Sequence, residues 1–412
     1  MTRRLLQINP VLRTSTSTGR IMQEIADLVQ ANGWESTIAY SYGRDGVRES
    51  ASKLIPVGDK LSVALHGLAT RLLDRHGLGS KRATEKFVKQ IEELDPDIIH
   101  IHNIHGYFLH YPTLFGYLAR SRAKVVWTVH DCWLYTGHCY YYSYAGCQKW
   151  QTGCGKCPQK RSFPTSWLAD RSARNFRDKR EAFTSVAKDR MVIVPVSEWM
   201  RGEMSKSFLK EYPFRVIHNG INTEVFAPRE AADVKARYGL EGKRTVIVGL
   251  ASIWSREKGL DDFVEMAGML GDDEAIVLVG LSEEQMKGLP KGIVGIRRTE
   301  NVGQLAELYS AATAFVNPTW QDNYPTVNLE AIACGTPVVT YRTGGSVEAV
   351  TEDTGVVVEQ GDVAGLLEAV REIAAKGKGA YTQKCREHAL ANFRKEDRYR
   401  DYLELYEELL KK

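Results

Sequence analysis

The stretch at residues 317–339, NPTWQDNYPTVNLEAIACGTPVV, constrains the fold more than any other part of the chain. The apolar run before it, residues 311–316, is typical of a buried strand. A polar loop follows, and Pro325 suits the first turn of a helix over residues 326–334. Residues 337–339 predict another strand. In a parallel α/β sheet, this order places the loop and the helix start at the carboxyl ends of the strands, where open sheets bind ligands.

Two carboxylates occur in this stretch, Asp322 in the loop and Glu330 about one turn into the helix. They can therefore face one ligand from two sides. The helix start offers backbone N–H groups and a positive dipole end, which suit a phosphate, and a carboxylate accepts hydrogen bonds from sugar hydroxyls. The pattern favours a nucleotide-sugar site over a hydrolase. A capped surface helix with one exposed acid is the alternative interpretation.

The length and composition of the chain indicate a globular protein of more than one domain. Its 412 residues exceed one ordinary domain, so we expect two. The hydrophobic share of 43% and the charged share of 26% are typical of soluble proteins, and the net charge of +4 argues against general nucleic-acid binding. Because no signal peptide or membrane-crossing apolar run is recognised, we expect a cytoplasmic location.

Basic residues are concentrated at residues 156–190, in a segment that we expect to be helical. One interpretation is a solvated helix face. The alternative is a docking surface for anionic lipid or a lipid-linked phosphate acceptor, which would bring the protein to the inner face of the membrane.

The first strand is predicted at residues 5–8, and a helix is expected to begin near Arg20. Thr18 and Gly19, just before that helix, would let a ligand approach the backbone closely. A simple helix cap explains the same two residues equally well.

Polar side chains follow two further predicted strands of the first half. The strand at residues 97–101 ends in a cluster of His100, His102, Asn103 and His105. Clustered histidines suggest a metal, but no carboxylate accompanies them, so polar lining of a ligand site is favoured. The strand at residues 124–129 ends in His130 beside Asp131, where a histidine can act as a base, donate a hydrogen bond to substrate, or serve the structure alone.

Four of the seven cysteines lie in one loop-like segment with the spacing C-x7-C-x6-C-x2-C: Cys139, Cys147, Cys154 and Cys157. Because cytosolic thiols stay reduced, a structural tetrahedral zinc site is the favoured interpretation. Unpaired thiols, a disulfide or an iron–sulfur cluster are the alternatives. The nearby aromatic residues are expected to pack around this segment rather than stack on a sugar: Tyr140, Tyr141, Tyr142, Tyr144 and Trp150.

A second series of alternating strands and helices begins at residues 245–250, after a turn at residues 219–222 where the chain can pass between domains. A polar loop follows that strand and contains Ser252, Arg256, Lys258 and Gly259. Cations in such a loop can neutralise a diphosphate, and glycine lets the backbone come near it, although exposed basic residues are common in loops. An amphipathic helix is expected at residues 394–410.

Together these features resemble the retaining GT-B glycosyltransferases of the group 1, family 4 class, and the resemblance covers nearly the whole chain. Its most specific marker is the E-x7-E signature followed by A-x-A-C-G-x-P-V-V, which Asp322, Glu330 and residues 331–339 match. The first acid departs from the signature because it is aspartate, as in a subgroup with the sequence DN-(F/Y)-P. The HNIHGY, HDCW and Cys-rich features resemble colanic-acid and capsule enzymes.

The resemblance implies roles for individual residues. Glu330 would bind the nucleotide ribose, and Asp322 and His130 would lie beside the donor sugar. Lys258 would contact the diphosphate, with Arg256 as the candidate for a second cation. The catalytic candidates are therefore His130, Asp322 and Lys258, and the donor-binding candidates are Glu330, Arg256, Ser252, Asn323, Tyr324, Thr326, Thr18 and Gly19.

The same resemblance implies an α/β, GT-B fold of two doubly wound Rossmann-like domains with a cleft between them. We expect an acceptor domain at residues 1–222 with a Cys-rich insertion near 132–160, a donor domain at residues 223–390, and a terminal helix at residues 391–412 that crosses back to the first domain. No cofactor is expected to be required for catalysis, because cations and helix dipoles would stabilise the leaving diphosphate.

The expected activity is retaining transfer of a sugar from a UDP- or GDP-sugar to a glycan or undecaprenyl-linked acceptor in cell-surface polysaccharide biosynthesis. Peripheral membrane contact is expected, and nucleic acid is not. Retention would proceed by front-face attack, in which the leaving phosphate accepts the proton of the acceptor. The alternatives are a GT-B epimerase acting on the nucleotide sugar and a noncatalytic sugar-nucleotide-binding protein.

Overall fold

The computed structural model describes residues 2–14, 16–43 and 50–411 of the chain. The chain divides into two compact units, Met1–His218 together with Tyr399–Lys412, and Asn219–Arg398. The division therefore falls directly before the turn at residues 219–222. Across the described ranges, no helix combines the length and apolar character needed to cross a membrane.

The first unit is built on one parallel sheet. Its strands are β1 (Arg4–Ile8), β2 (Glu35–Ser41), β3 (Lys53–Val57), β4 (Ile98–Ile101), β5 (Lys124–Val129) and β6 (Met191–Pro195). Its helices are α1 (Ser17–Ala31), α2 (Lys60–Leu73), α3 (Lys81–Leu94), α4 (Tyr111–Arg120), α5 (Ser172–Phe183) and α6 (Glu198–Met204). The strands pair in the order β3-β2-β1-β4-β5-β6, which is the doubly wound order that reverses between β1 and β4.

Both faces of this sheet are buried. Successive residues of a strand point to opposite faces, so neighbouring residues of β1 show what covers each face. Leu6 of β1 belongs to a core cluster with Phe115 of α4, whereas its neighbour Leu5 belongs to a cluster with Tyr406. Tyr406 lies on the last helix of the chain, Lys395–Lys411, and the part of that helix from Tyr399 onward belongs to the first unit. This helix therefore completes the core of the first unit.

The second unit repeats the architecture. Its strands are β7 (Thr245–Leu250), β8 (Glu274–Val279), β9 (Ile293–Ile296), β10 (Ala314–Asn317), β11 (Val338–Tyr341) and β12 (Gly355–Val358). Its helices are α7 (Ala232–Arg237), α8 (Leu260–Ala267), α9 (Glu283–Lys287), α10 (Val302–Ala311), α11 (Thr326–Ala333), α12 (Val363–Lys376) and α13 (Gly379–Asn392), and α14 is Lys395–Lys411. The order β12-β11-β10-β7-β8-β9 is the same winding, with the reversal between β7 and β10.

The two doubly wound α/β sheets predicted from the sequence are confirmed, and β5 and β7 have the predicted bounds. Three local predictions are wrong. Helix α1 begins at Ser17 rather than near Arg20, because the side chain of Thr16 caps it. Strand β10 begins at Ala314, because α10 continues to Ala311. Within residues 156–190 only α5 is an α-helix, since Pro158 and Pro164 interrupt the segment before it.

Candidate functional site

The reversal of strand order brings two strand ends together in each sheet, β1 and β4 in the first unit and β7 and β10 in the second. Loops that leave such strand ends enclose the crevice in which doubly wound sheets bind ligands. In the second unit these loops are residues 251–259 and 318–325, which contain Lys258 and Asp322.

Lys258 and Asp322 form an ion pair at this crevice. The Lys258 Nζ lies 2.6 Å from the Asp322 Oδ2, and the side chains are 36% and 16% exposed. The two loops are also joined by their backbones, because the Trp320 N–H donates to the Glu257 carbonyl at 2.9 Å. The charged pair is therefore held by ordered backbone on both sides.

Two glycines allow the loops to come this close. Gly259 has φ +77°, and a Cβ there would lie 2.3 Å from the carbonyl oxygen of Pro318. Gly344 has φ +50°, and a Cβ there would lie 2.1 Å from the carbonyl oxygen of Asp322. Only glycine fits both the left-handed backbone and the contact. The close approach at Gly259 is thus to the neighbouring loop.

Helix α11 is fixed beside this site by a buried amide that the sequence reasoning missed. The Asn328 side chain accepts from the Asn317 Nδ2 at 2.8 Å and donates to the carbonyl and hydroxyl of Ser346, each at 3.1 Å. It therefore connects α11 to the end of β10 and to the 3-10 turn Gly344–Val347. The only signal in the sequence is one asparagine inside the apolar helix TVNLEAIA.

Glu330 lies in α11 and Asp322 in the loop before it, as predicted. Glu330 is only 5% exposed, and its Oε2 accepts a hydrogen bond of 3.4 Å from the Tyr309 hydroxyl. Burial and the Glu330 charge both raise the pKa of Tyr309, so this hydroxyl stays a donor. Glu330 is thus a buried carboxylate that accepts from a neutral hydroxyl.

The remaining candidates of the second unit differ in their surroundings. Asn323 and Tyr324 are buried, and burial raises the pKa of the Tyr324 hydroxyl. Thr326 is the first residue of α11 and is half-buried, and Ser252 is exposed. The guanidinium of Arg256 is 78% exposed and pairs with Asp261 at 3.0 Å. The structure therefore brings Lys258 to Asp322 but engages Arg256 elsewhere.

In the first unit, Thr18 and Gly19 lie in the first turn of α1 rather than in the loop before it. The Gly19 N–H donates to the Thr16 hydroxyl at 3.3 Å, and a Cβ at Gly19 would lie 2.2 Å from the Arg13 carbonyl oxygen. The close backbone approach at Gly19 is therefore made by the preceding loop of the chain itself.

The predicted polar cluster of the first unit does assemble at the ends of β4 and β5. A cavity of about 10 Å³ is lined there by His102, Asn103, His105, His130 and Asp131 among others. His100 does not line it. Its ring is buried between the hydroxyls of Tyr406 at 2.6 Å and Thr128 at 2.8 Å, so His100 has a structural role.

A chain of hydrogen bonds fixes the protonation of two of these histidines. The Gln7 amide donates to the Met22 carbonyl at 3.0 Å, which leaves the Gln7 Oε1 facing the His102 Nε2 at 3.0 Å. This oxygen can only accept, so the His102 Nε2 carries the proton and its Nδ1 accepts from the His130 Nε2 at 3.2 Å. Burial lowers the pKa of His130 to about 4, so His130 is neutral at neutral pH, with its acceptor nitrogen at Nδ1.

Asp131 is charged beside these neutral rings. Its Oδ2 accepts from the His105 Nε2 at 2.8 Å, its Oδ1 accepts from the Trp133 N–H at 2.9 Å, and the Tyr140 hydroxyl lies 2.8 Å from the His105 Nδ1. Burial alone would raise the pKa of Asp131, but His105 and the Trp133 N–H outweigh it and hold that pKa below its usual value. Sequence reasoning missed the links from His105 to Asp131 and Tyr140.

The four predicted cysteines line one cavity of about 10 Å³ in the first unit and are all free thiols. Tyr142 and Trp150 are buried with ring centroids 4.8 Å apart, so aromatic packing around this segment is confirmed for these two residues. Within the ranges that the structure describes, no group of three or more His, Cys, Asp or Glu side chains is already arranged to hold a metal ion. The thiols surround the cavity without forming a closed ligand set.

Comparison with known families matches both units of the chain. The model described as "Glycosyltransferase Family 4" matches residues 18–225, about half of the chain, and the model described as "Glycosyl transferases group 1" matches residues 244–376.

Individual proteins are similar over the whole chain or over part of it. The putative colanic acid biosynthesis glycosyl transferase WcaC of Escherichia coli is 23% identical over 98% of this chain and 100% of its own. The alpha-maltose-1-phosphate synthase of Mycobacterium tuberculosis is 32% identical over 44% of this chain and 54% of its own.

Two solved structures have a similar fold. Sucrose-phosphate synthase from Thermosynechococcus elongatus aligns with a TM-score of 0.72 and 18% identity over 99% of both chains. Anabaena HepE in complex with UDP-glucose aligns with a TM-score of 0.66 and 15% identity over 98% of this chain and 99% of its own. At these identities the likeness concerns the fold alone.

Proposed function

Because the chain belongs to glycosyltransferase family 4 and has the GT-B fold, we propose that it transfers a sugar, with retention, from a nucleotide diphosphate sugar to a glycan or undecaprenyl-linked acceptor in cell-surface polysaccharide biosynthesis. The observation that carries this proposal is the Lys258–Asp322 pair at the β7/β10 crevice, with Glu330 in the following helix. The likeness to WcaC supports the polysaccharide pathway, and HepE, solved with UDP-glucose, supports a nucleotide-sugar donor.

The second unit would bind the donor. The ammonium of Lys258 and the N-terminus of α11 would neutralise the diphosphate as negative charge develops on the leaving group. Asp322, fixed beside Lys258, would accept a hydrogen bond from a hydroxyl of the donor sugar. Glu330 would accept hydrogen bonds from the ribose hydroxyls. None of these steps requires a divalent cation.

The first unit would recognise hydroxyl groups. A neutral His130 can form a hydrogen bond with a sugar hydroxyl but does not act as an acid near pH 7. Retention would then follow from front-face attack, in which the leaving phosphate takes the proton of the acceptor hydroxyl. No carboxylate nucleophile is needed for that route.

A panel of UDP-, GDP- and ADP-sugars, incubated with and without membrane extract, tests the activity. We expect release of nucleoside diphosphate that depends on the extract, and a product whose anomeric proton coupling in NMR matches that of the donor. Glu330→Ala should abolish turnover, whereas Glu283→Ala, which removes an exposed acid of the same unit, should not. Wild-type turnover by Glu330→Ala would remove the basis of the assignment.

The same panel separates the two other functions. Turnover without any extract, with a changed sugar, would identify an epimerase. Saturable binding of the nucleotide sugar without turnover under any condition would identify a noncatalytic binding protein.

We further propose that the first unit contacts a membrane through α2. Leu61, Leu65 and Leu68 follow the spacing of one helix face and are 68%, 56% and 49% exposed. Residues 167–169 join the end of this helix, since the Trp167 N–H donates to the Arg71 carbonyl, and they add Leu168, which is 71% exposed. Two cations lie at this face: Arg71 is exposed in the last turn of α2, and the Lys160 ammonium donates to the Leu168 carbonyl at 3.2 Å. A leucine face with a tryptophan at its edge and such cations suits an anionic lipid surface.

Vesicle flotation tests this surface. The protein should float with vesicles that contain phosphatidylglycerol more than with phosphatidylcholine alone, and Leu65→Glu should abolish flotation. Leu390→Glu, at an exposed leucine of the second unit, is the matched control. A Leu65→Glu variant that floats normally, or that instead converts a dimer into a monomer, would refute lipid docking by this face.

A further inference from the structure

We propose that the Cys-rich segment of the first unit is a structural zinc site, in which the thiolates of Cys139, Cys147, Cys154 and Cys157 bind one Zn²⁺. This inference does not depend on the proposed transferase activity. It rests on how the sulfur atoms and a buried histidine line one small cavity, with a buried lysine beside the same segment.

The cavity has the right size and lining for a single ion. Its volume of about 10 Å³ is close to that of one water-sized sphere, and all four cysteines line it. The Cys139 thiol hydrogen-bonds the Cys157 sulfur, so these two sulfurs are already in contact. A tetrahedral Zn–S distance of about 2.3 Å would draw the other two inward.

The backbone already supports two of the sulfurs. The Gly137 N–H donates to the Cys154 Sγ at 3.1 Å, the kind of outer contact that stabilises a metal-bound thiolate. Cys154 and Cys157 lie on a tight turn in which Lys156 has φ +46°. The Lys149 ammonium closes that turn by donating to the carbonyls of Gly155 and Lys156, both at 3.1 Å. The turn therefore presents both sulfurs to the same side.

A buried histidine points to the same cavity. His138 lines it, and its Nδ1 lies 2.7 Å from the Asp74 Oδ1. Within the part of the chain that the structure describes, its buried Nε2 has no hydrogen-bond partner. The cysteine sulfurs line the same cavity and are therefore placed to satisfy this nitrogen.

A buried ammonium lies beside the same segment. Lys179 is only 1% exposed, and its Nζ donates to the carbonyls of Trp133 at 2.6 Å and Thr136 at 2.9 Å. Among the described residues, no carboxylate forms an ion pair with it. Burial lowers the pKa of Lys179 to about 7, and four thiolates around one Zn²⁺, with a net charge of about −2, would favour its protonated form. Lys179 is therefore placed to balance part of the charge of the site.

Zinc at this position would order the loop that reaches the polar cluster of the first unit. Tyr140 directly follows Cys139, and its carbonyl accepts from the Cys132 N–H at 2.8 Å. Its hydroxyl reaches His105, which holds Asp131. The metal would thus position Tyr140 without touching a substrate.

Metal analysis of the full-length protein, purified without added metal or chelator, tests the proposal. We expect about one zinc per chain, released in step with the titration of four thiols by a mercurial reagent. Cobalt exchange should give the absorption of a tetrahedral four-thiolate site. Cys147→Ser should lose the metal, and Cys147→His should keep it, with a cobalt spectrum changed towards mixed sulfur and nitrogen ligation.

Cys385→Ala, which removes a buried thiol of the second unit, is the matched control and should keep its zinc. Wild-type protein with no zinc and four freely titratable thiols would overturn the proposal, as would a disulfide or bound iron with sulfide. Zinc that survives Cys147→Ser but is lost in His138→Gln would overturn the four-thiolate ligand set. The wild-type titration stands even where a variant fails to fold.

Discussion

Replacing Lys258 by methionine is the most direct test of the proposed donor site. Methionine is unbranched and apolar and can occupy much of the same space, so the substitution removes the charge with little change in bulk. Lys258 is 36% exposed and its partner Asp322 is 16% exposed, so the ion pair is only partly shielded from water. We therefore expect a small effect on folding and a large effect on catalysis.

The two magnitudes can be separated. A partly exposed ion pair contributes about 0.2–1 kcal/mol to stability, which for a domain of this size shifts Tm by roughly 2–4 °C at most. A preorganised charge that stabilises a developing anion contributes more, and its removal lowers kcat by about 10²–10³-fold. Lys258→Met should thus fall in the second range for turnover while its melting curve stays near that of the wild type.

The assay compares kcat, KM and Tm for four proteins: wild type, Lys258→Met, Lys258→Arg and Lys287→Met. Lys258→Arg keeps the charge but changes the donor geometry, so we expect partial activity. Lys287 is exposed on α9 in the same unit and is the matched control. Unchanged kcat in Lys258→Met would refute the assignment of the diphosphate to this loop, and an equal loss in Lys287→Met would show a general charge effect.

Four further outcomes follow from the structure. Gly259→Ala should destabilise the second unit in urea by more than the roughly 1–2 kcal/mol expected of Gly239→Ala, because both have positive φ but only Gly259 would also meet a carbonyl oxygen, that of Pro318 at 2.3 Å. Asn328→Ala removes the side chain that hydrogen-bonds the buried amide of Asn317 and the carbonyl of Ser346. Each buried group that loses its hydrogen bond should lower the free energy of unfolding by about 1–3 kcal/mol. Burial lowers the pKa of His66 to about 4, which is below the value in the unfolded chain. The contribution of the neutral ring to stability, up to about 3 kcal/mol, is therefore fully present above about pH 6.5 and is lost as the pH falls towards 4. The free energy of unfolding of His66→Gln should depend less on pH between these two values than that of the wild type. Asp322→Glu adds a methylene where the backbone is fixed by the Gly345 N–H, so it should change the ratio of kcat/KM between donor sugars, and an equal loss for all donors would contradict a role in sugar choice.

Several central strands could be predicted from the sequence because they are buried on both faces, although β2 was not identified. The strands β5 and β7 are largely apolar, and the sequence analysis predicted their bounds correctly. The outer strands β3 and β9 were not identified. Every residue of β9 is half-buried, and the buried and exposed residues of β3 do not alternate regularly, so neither strand has a clear apolar pattern. The boundary errors at α1 and β10 arise where a cap or a last helical turn decides, which local periodicity does not report.

The site was only partly predictable for a related reason. Lys258 and Asp322 were found because each sits in a loop after a recognisable strand. Gln7 was missed because its hydrogen-bond partner His102 is 95 residues away in the sequence, and the residues next to Gln7 form no motif that indicates a functional site. Arg256 was assigned to the phosphate from its neighbourhood, but Asp261, five residues on, offers its guanidinium a nearer partner.

The two sheets have the same strand order, but different side chains lie at their strand ends. This difference predicts how the activity of a Lys258 variant should respond to pH. In the first unit, Gln7 of β1 and two histidines kept neutral by burial, His102 after β4 and His130 after β5, suit hydroxyl groups. In the second unit the β7/β10 crevice holds the fixed charges of Lys258 and Asp322. Because the pKa of His130 is about 4, mild acid does not charge it, so lowering the pH to about 6 should not restore turnover to Lys258→Met. Recovery of activity at that pH would refute this reasoning, because it would show that a group that gains a proton near pH 6 can supply the charge lost with Lys258.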